Sequence, residues 1–493
     1  MIFYLKSRYI DKFYLHIVLI CRKYYFWMMK NAKLKELLKS LSAWEFRRLG
    51  SYIQSPYINR NRQLILLHSF FSKQRSQHHS EVVDKRKLFR ILFPGKLHDD
   101  KKIRYLFTDY TRLIENFIID ESLARDEAAK QQLLQKELAL RNCSKAYRTK
   151  RARGIAHPAK DAAYYLHRYN DEYTHLDLWI SKQKRQDTQN IEVVIENLDK
   201  FYFAKKLELS CVVQNFNNVL AVQFKNTFQS EIVELLRLHE YINTPVVAIY
   251  YLILLTLTEE ENEKHFNDLL RLLLQHEKDF SLQQLREVYQ YAMNYCIKKV
   301  NKGNTSFFKT LFEIYKNILP KKILMPGNFL PQFDYKNIVT IALRMKEFAW
   351  AKKFIEEYKI HLRKEDRENA YTYNLAHWYF HNREYSKTLS LFQQVKFTDV
   401  YYQLDTRSIL LKTYFEQDDS EAFFYHASAF RAYIRRNKLV SDYQRIAYRN
   451  FIRYAGQLLR AGGNQKKISQ IKKELKEKKQ VADINWLLQR DEE

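Results

Sequence analysis

The chain has 493 residues, 46% of them hydrophobic, and 84 Lys and Arg against 56 Asp and Glu leave a net charge of +28. That apolar fraction excludes a largely disordered chain, and 8 Gly with 7 Pro are too few for the turns of an all-β fold. Cys21, Cys143, Cys211 and Cys296 stand too far apart for a zinc knuckle, a redox pair or a disulfide framework, so reduced thiols in a cytoplasm are expected. The positive balance favours acidic partners, nucleic acid foremost, if it gathers in one patch; scattered over helix faces it favours none.

The apolar run at 13–21 is too short to cross a bilayer, and Arg22 and Lys23 follow it without a small-residue cleavage site. Residues 1–27 therefore read as an upstream extension, with the start at Met28 or Met29, and no membrane span is expected. An N-terminal helical region covers 28–120. Ser42 and Glu45 have capping-box spacing for a helix to about Tyr52, Pro56 turns the chain, and helices follow at about 60–73, 84–93 and 99–125, the last capped by Asp99 or Asp100.

Residues 121–186 read as a polar helical arm. One long helix is expected over 121–153, with a thin seam of Leu123, Leu133, Leu134 and Leu138, and a second over 159–185. Arg141, Lys145, Arg148, Lys150, Arg151 and Arg153 end the first without an acid among them. Such a cluster can neutralise phosphates, with Tyr147 to stack a base. It can equally complement the helix dipole.

Helical hairpins are expected over 187–320. Asn190 caps a helix carrying Leu198, Phe201, Tyr202, Leu207 and Leu209. Another spans 230–241, Pro245 opens one behind Thr244, and Glu259, Glu260 and Glu261 sit in the first turn of one reaching 278. Ser281 and Gln284 start a helix to Val300, residues 301–304 turn it, and 307–319 packs back. Residues 320–331 hold three of the prolines and mark a boundary.

Beyond it three units align over 332–432. At unit positions 7, 8, 11, 20, 24 and 27 the middle one reads Leu375, Ala376, Tyr379, Thr388, Phe392 and Val395. The unit before reads Ile338, Val339, Ala342, Ala351, Ile355 and Tyr358; the unit after reads Leu410, Leu411, Tyr414, Phe423, Ala427 and Phe430. An apolar pair, an aromatic, then a small residue and an aromatic at these intervals is how two short antiparallel helices pack into one repeat. The pattern resembles the tetratricopeptide (TPR) repeat. Val339 and Leu411 depart from it where a small residue belongs, and the closing proline is missing from each unit. The middle unit is also faintly similar to the pentatricopeptide repeat through Tyr371, Thr372, Tyr373 and Asn374.

The resemblance implies an all-α, right-handed α-α superhelix with Leu375, Ala376, Tyr379, Phe392, Val395, Leu410, Tyr414 and Ala427 in the repeat core. It also implies a concave face that holds peptides or proteins. Asn374, His377, Trp378 and Arg407 are the first-helix residues expected to line that groove. After 438 an amphipathic helix caps the stack, ending at Gly462, within a repeat domain of 332–461. Residues 462–493 form a charged helical tail with Trp486 as a terminal anchor.

The residue pattern supplies little chemistry. Neither G-x-G-x-x-G, a Walker loop, H-E-x-x-H nor G-x-S-x-G occurs, and His78–His79 and His98–Asp99–Asp100 read as a loop and a helix cap. Cys211 and Cys296 read as buried small residues. No enzyme activity, cofactor or metal is expected. The leading expectation is a non-catalytic cytoplasmic scaffold or adaptor for a protein or peptide partner; the alternative is a nucleic-acid-associated protein using the basic segment 141–153.

Overall fold

The computed structural model describes residues 32–76, 85–153, 159–181, 191–219, 223–395, 399–478 and 480–489. The expected upstream extension at 1–27, its alternative starts, Cys21, the His78–His79 loop and the Asn190 cap lie outside these. Every regular element among the described residues is helical. The chain is all-α, and its contacts divide it after Ser281 into two units.

The first unit begins with α1 (Ala32–Ser40), α2 (Ala43–Gln54), α3 (Arg62–Ser76), α4 (Lys85–Leu92) and α5 (Asp100–Arg125). Ser42 and Glu45 close the expected capping box on α2, and Asp99 caps α5 through Lys101 and Lys102. Leu38, Leu49, Phe71, Phe89, Tyr110 and Ile114 meet in one core. His68 lies inside it, stacked 4.6 Å from Phe46 with Nδ1 2.8 Å from the Tyr110 hydroxyl. A Cβ on Gly50 would stand 2.8 Å from His68 Nε2, so this crossing of α2 and α3 needs glycine.

The long helix expected over 121–153 is three helices: the end of α5, then α6 (Glu127–Leu140) and α7 (Ser144–Arg153). Asp126 causes the first break, since its Oδ1 accepts from the Ala129 amide and caps α6. Asn142 causes the second. It takes φ +56°, and Cys143 N–H closes back on Leu138 O at 2.9 Å. α8 (Ala162–Ser181) packs on α6 and on α9 (Ile191–Val219), which in turn packs on α11 (Pro245–Thr258). Burial of α11 on nearly all sides matches its run of Val, Ile, Leu and Tyr. Between them stands α10 (Gln229–Leu238), and α12 (Glu263–His276) follows. Asn262 caps α12, so Glu259–Glu261 precede the helix rather than forming its first turn; Glu259 instead binds His265 and Arg237.

The second unit runs α13 (Leu282–Asn301), α14 (Phe307–Ile318), α15 (Gln332–Arg344), α16 (Phe348–Tyr358), α17 (Arg367–His381), α18 (Tyr385–Gln394), α19 (Val400–Glu416), α20 (Ser420–Arg436), α21 (Asp442–Ala461), α22 (Gln465–Glu477) and α23 (Ile484–Leu488). From α13 to α22 each helix touches the next, and α17 touches α15 and α19 as well. Cys296 and, in the first unit, Cys211 are fully buried.

The three aligned hairpins turn alike. Lys346, Arg383 and Asp418 occupy the same unit position, and all take a left-handed backbone at φ +60°, +62° and +53°. The next amide closes on the carbonyl five residues back each time: Glu347 to Ala342 at 2.9 Å, Glu384 to Tyr379 at 3.0 Å, Asp419 to Tyr414 at 3.1 Å. The α13–α14 turn repeats this closure with Gly303 at φ +101° and Asn304 bound to Lys299 O. Of the expected repeat core, Ala376, Phe392 and Ala427 are buried, while Leu375, Tyr379, Val395, Leu410 and Tyr414 are half-buried.

Candidate functional site

The first helices of the second unit's hairpins, α15, α17 and α19, carry a seam of charges and aromatic rings on their shared side. Lys336 on α15 pairs with Asp405 on α19, and its ammonium lies 4.8 Å from the centre of the Tyr402 ring and 5.5 Å from that of Tyr373. Tyr448 on α21 donates to the other oxygen of Asp405 at 3.3 Å. Tyr373 and Tyr402 are fully buried. Burial, with Asp405 next, pushes the Tyr373 hydroxyl far above its ordinary value, and the same causes act on Tyr448. The seam is therefore an ion pair clamped between phenol rings, where cation–π attraction replaces lost hydration.

One turn further along α19 the seam receives the chain's own C-terminal segment. Asp483 sets its carboxylate 2.5 Å from Lys412 Nζ and accepts from the Ser408 hydroxyl at 2.8 Å. Burial alone would raise the Asp483 pKa; the Lys412 charge and the hydrogen bonds of Lys412 and Ser408 outweigh it and hold the carboxyl below its ordinary value. Trp486 donates its indole N–H to Glu416 at 3.1 Å and packs edge-on against Phe415 and Phe451. Backbone contacts fix the register: Ala482 N–H binds Ala447 O at 3.1 Å, and Asn450 donates to Gln480 O at 2.7 Å. Leu487 is fully buried in the core of α19 to α22. The terminal anchor expected at Trp486 is thus a ten-residue segment seated on α19 and α21.

The residues expected to line an open groove are placed otherwise, with one exception. Asn374 has no exposed surface and donates to its own helix at Ala370 O. Trp378 turns to α16: its indole donates to Phe348 O at 2.8 Å and Lys352 covers its ring at 4.3 Å. Arg407 lies 4.4 Å over Tyr433 on α20, in its own hairpin. His377 does face the seam, 5.0 Å from His381. Burial, then the neighbouring His381, Lys412 and Lys336, drives the His377 pKa far down, and burial with Lys412 and Arg344 lowers that of His381 to about 4. Both imidazoles are neutral at pH 7.

In the first unit the basic cluster is split. Arg151 turns inward to Glu172 at 2.6 Å, where Arg168 also binds, and Arg141 pairs with Glu137 on the preceding helix. Tyr147 is buried and stacked on His175, so its ring is not offered to a base. Lys150 is half-buried; Lys145, Arg148 and Arg153 are exposed, with no acidic partner among the described residues. No group of His, Cys, Asp and Glu able to hold a metal occurs among the described residues, and none of their helices is long and apolar enough to cross a membrane.

No protein-family model, no curated protein and no solved structure matches the chain.

Proposed function

We propose that the second unit is a non-catalytic, TPR-like scaffold acting as a cytoplasmic adaptor. In this reading its first helices wind into a right-handed superhelix and hold a segment of another protein. The face it uses is the one now covered by residues 480–489. A single observation supports the reading: α19 and α21 already grip an acidic-aromatic segment in a short helix, with a buried cation for its acid, a carboxylate for its indole and hydrogen-bond partners for the backbone of its leading residues. Such a set of contacts recognises a segment as well as a fold, and a partner carrying the same order of groups can take it. Between α15 and α19 the seam is filled by Lys336, Tyr373 and Asp405, so a partner seats from Lys412 outward.

The test uses a labelled peptide of sequence 480–489 and the full chain. With Asp483→Lys and Trp486→Ala loosening the resident segment, the peptide binds in trans; the wild-type chain, already occupied, binds it at least tenfold more weakly. Adding Lys412→Ala to the loosened chain abolishes binding. A loosened chain that stays folded by circular dichroism yet does not take the peptide overturns the reading.

A second reading rests on α7. The exposed Lys145, Arg148 and Arg153 belong to a chain of net charge +28 and suit a phosphate backbone. Converting all three to Gln lowers affinity for a mixed-sequence RNA at low salt by about tenfold and reduces the salt slope by about 2. Unchanged binding removes this reading.

A further inference from the structure

The longest helix of the first unit carries an apolar row that stays exposed among the described residues; at its far end the Phe216 ring lies 6.2 Å from that of Phe224. On α9, Ile191, Ile195, Leu198, Tyr202, Leu209 and Phe216 are all exposed; Ile195 and Leu209 keep about half of their surface, 52% and 51%. The opposite side is the one that packs: Val194, Ala204, Leu207 and Cys211 are buried. α9 is therefore apolar on two faces, of which one is spent on the fold.

The outward row has the spacing of a coiled-coil seam. The steps 191, 195, 198, 202, 205, 209, 212 and 216 alternate by four and three, the d and a positions of successive heptads. Every position is apolar except 205, a lysine, and Val212, the remaining member, is half-buried. At 1.5 Å per residue the row runs about 38 Å along one side of the helix. A contiguous apolar strip of that length on a soluble surface marks a contact, and its period asks for another helix of the same length and period.

The row read backwards matches itself. Antiparallel coiled coils pair each a position with a d position of the partner. If a second α9 lies antiparallel, centred between residues 203 and 204, Ile191 meets Phe216, Ile195 meets Val212, Leu198 meets Leu209, and Tyr202 meets Lys205. Every apolar residue but Tyr202 then has an apolar partner. The single cation lies on the single phenol, the pairing that cation–π attraction favours, while Lys205 keeps its own Glu208 at 2.7 Å. Parallel pairing would set Lys205 against Lys205 in the seam. The flanks agree: antiparallel packing brings e positions together; Glu192 and Val213 are the outer pair, and the central two are Asp199 and Lys206, opposite in charge and repeated on both sides of the two-fold axis. Within its own chain each contacts only neutral groups among the described residues, Tyr241 and Asn226.

We propose that α9 is a self-association surface, pairing two copies of this chain through an antiparallel two-helix seam. A single polar residue within such a seam fixes its register, and Lys205 does so here. The surface lies in the first unit, and the inference does not depend on the scaffold reading of the second.

The full chain is examined by light scattering after gel filtration, at about 50 μM. The expected mass is twice the 59.9 kDa of one chain. Leu198→Glu with Leu209→Glu, which places four carboxylates in two facing layers, halves that mass while leaving the helical circular dichroism and a cooperative melt in place. A wild-type chain of single mass, or a variant that stays double, overturns the proposal. Register is read separately in a Cys21→Ser, Cys143→Ser background. Leu198→Cys and Leu209→Cys introduced together give an interchain disulfide on mild oxidation. Either alone does not, because the two copies of one position lie about 16 Å apart along the antiparallel seam. A cross-link from Leu198→Cys alone overturns the antiparallel arrangement.

Discussion

α9 and α19 place their side chains in opposite ways. α9 turns Ile195, Leu198 and Leu209 toward solvent, whereas α19 draws Lys412 and Ser408 inside with barely any exposed surface. Each is the arrangement that water disfavours, and each calls for a partner. α19 has its partner in the same chain, at Asp483 and Trp486. The outward row of α9 stays exposed among the described residues of its unit. The contrast separates a completed contact from an open one.

The sharpest way to break the contrast is at Lys412. Lys412→Met keeps the length of the side chain but strands the Asp483 carboxylate in the seam, and a loss of about 3 kcal/mol is expected in urea unfolding followed by circular dichroism. The double variant Lys412→Met with Asp483→Ala recovers part of that loss, since no unpaired charge is left inside. By comparison Ile195→Gln on the open face of α9 shifts unfolding by less than about 0.5 kcal/mol at a dilution where the chain is monomeric. If Lys412→Met were as mild as Ile195→Gln, the ion pair would not be what seats the C-terminal segment.

A smaller effect comes from the two imidazoles beside that pair. His381 takes up a proton only near pH 4 in the fold, and burial holds His377 well below its ordinary range, against an unfolded value near 6.5. Between about pH 6.5 and 4 the unfolded chain therefore binds more protons than the folded one, and stability falls as pH falls. Asp483 acts in the same sense at the acid end, because its depressed carboxyl contributes above its unfolded value and the contribution goes as pH drops through the folded one. His68, lowered to about 4 by burial, does the same in the first unit. Melting temperature is expected to decline steadily from pH 7 to pH 5, and His381→Gln to flatten that decline in the second unit's transition. A decline unaltered by His381→Gln would place the proton uptake elsewhere.

Local features were legible in the sequence, and long-range ones were not. The Ser42–Glu45 capping box, the Asp99 cap and the burial of Cys211 and Cys296 follow from spacing and periodicity, and the structure has each. The apolar residues of α9 were legible as a helix but not as two faces, since Leu207 points in while Leu198, Tyr202 and Leu209 point out. Pairing of Lys336 with Asp405 spans 69 residues, and each reads locally as a solvated charge. Asn374 looked like a ligand contact for the same reason: an amide on an amphipathic helix is assigned outward until a neighbouring helix is known to cover it. The breaks at Asp126 and Asn142 were hidden because neither residue is Pro or Gly.

The hairpin turns were hidden in the same way, and they carry the smallest prediction. A left-handed residue after a helix is usually glycine, yet of the four hairpin turns from α13 to α20 three use Lys346, Arg383 and Asp418, and the α13–α14 turn uses Gly303. A side chain at that position costs about 1–2 kcal/mol through its Cβ, against about 0.5–1 kcal/mol of extra unfolded-state entropy that glycine brings. The first outweighs the second for an exposed lysine with no compensating local bond, so Lys346→Gly is expected to stabilise the second unit by about 0.5 kcal/mol. Asp418→Gly gains less, because aspartate tolerates the left-handed region better. Gly303→Ala runs the same ledger in reverse and destabilises by about 1 kcal/mol. Calorimetry that found Lys346→Gly neutral or harmful would mean the lysine is held by contacts at its turn, and that the four turns share a backbone without sharing its energetics.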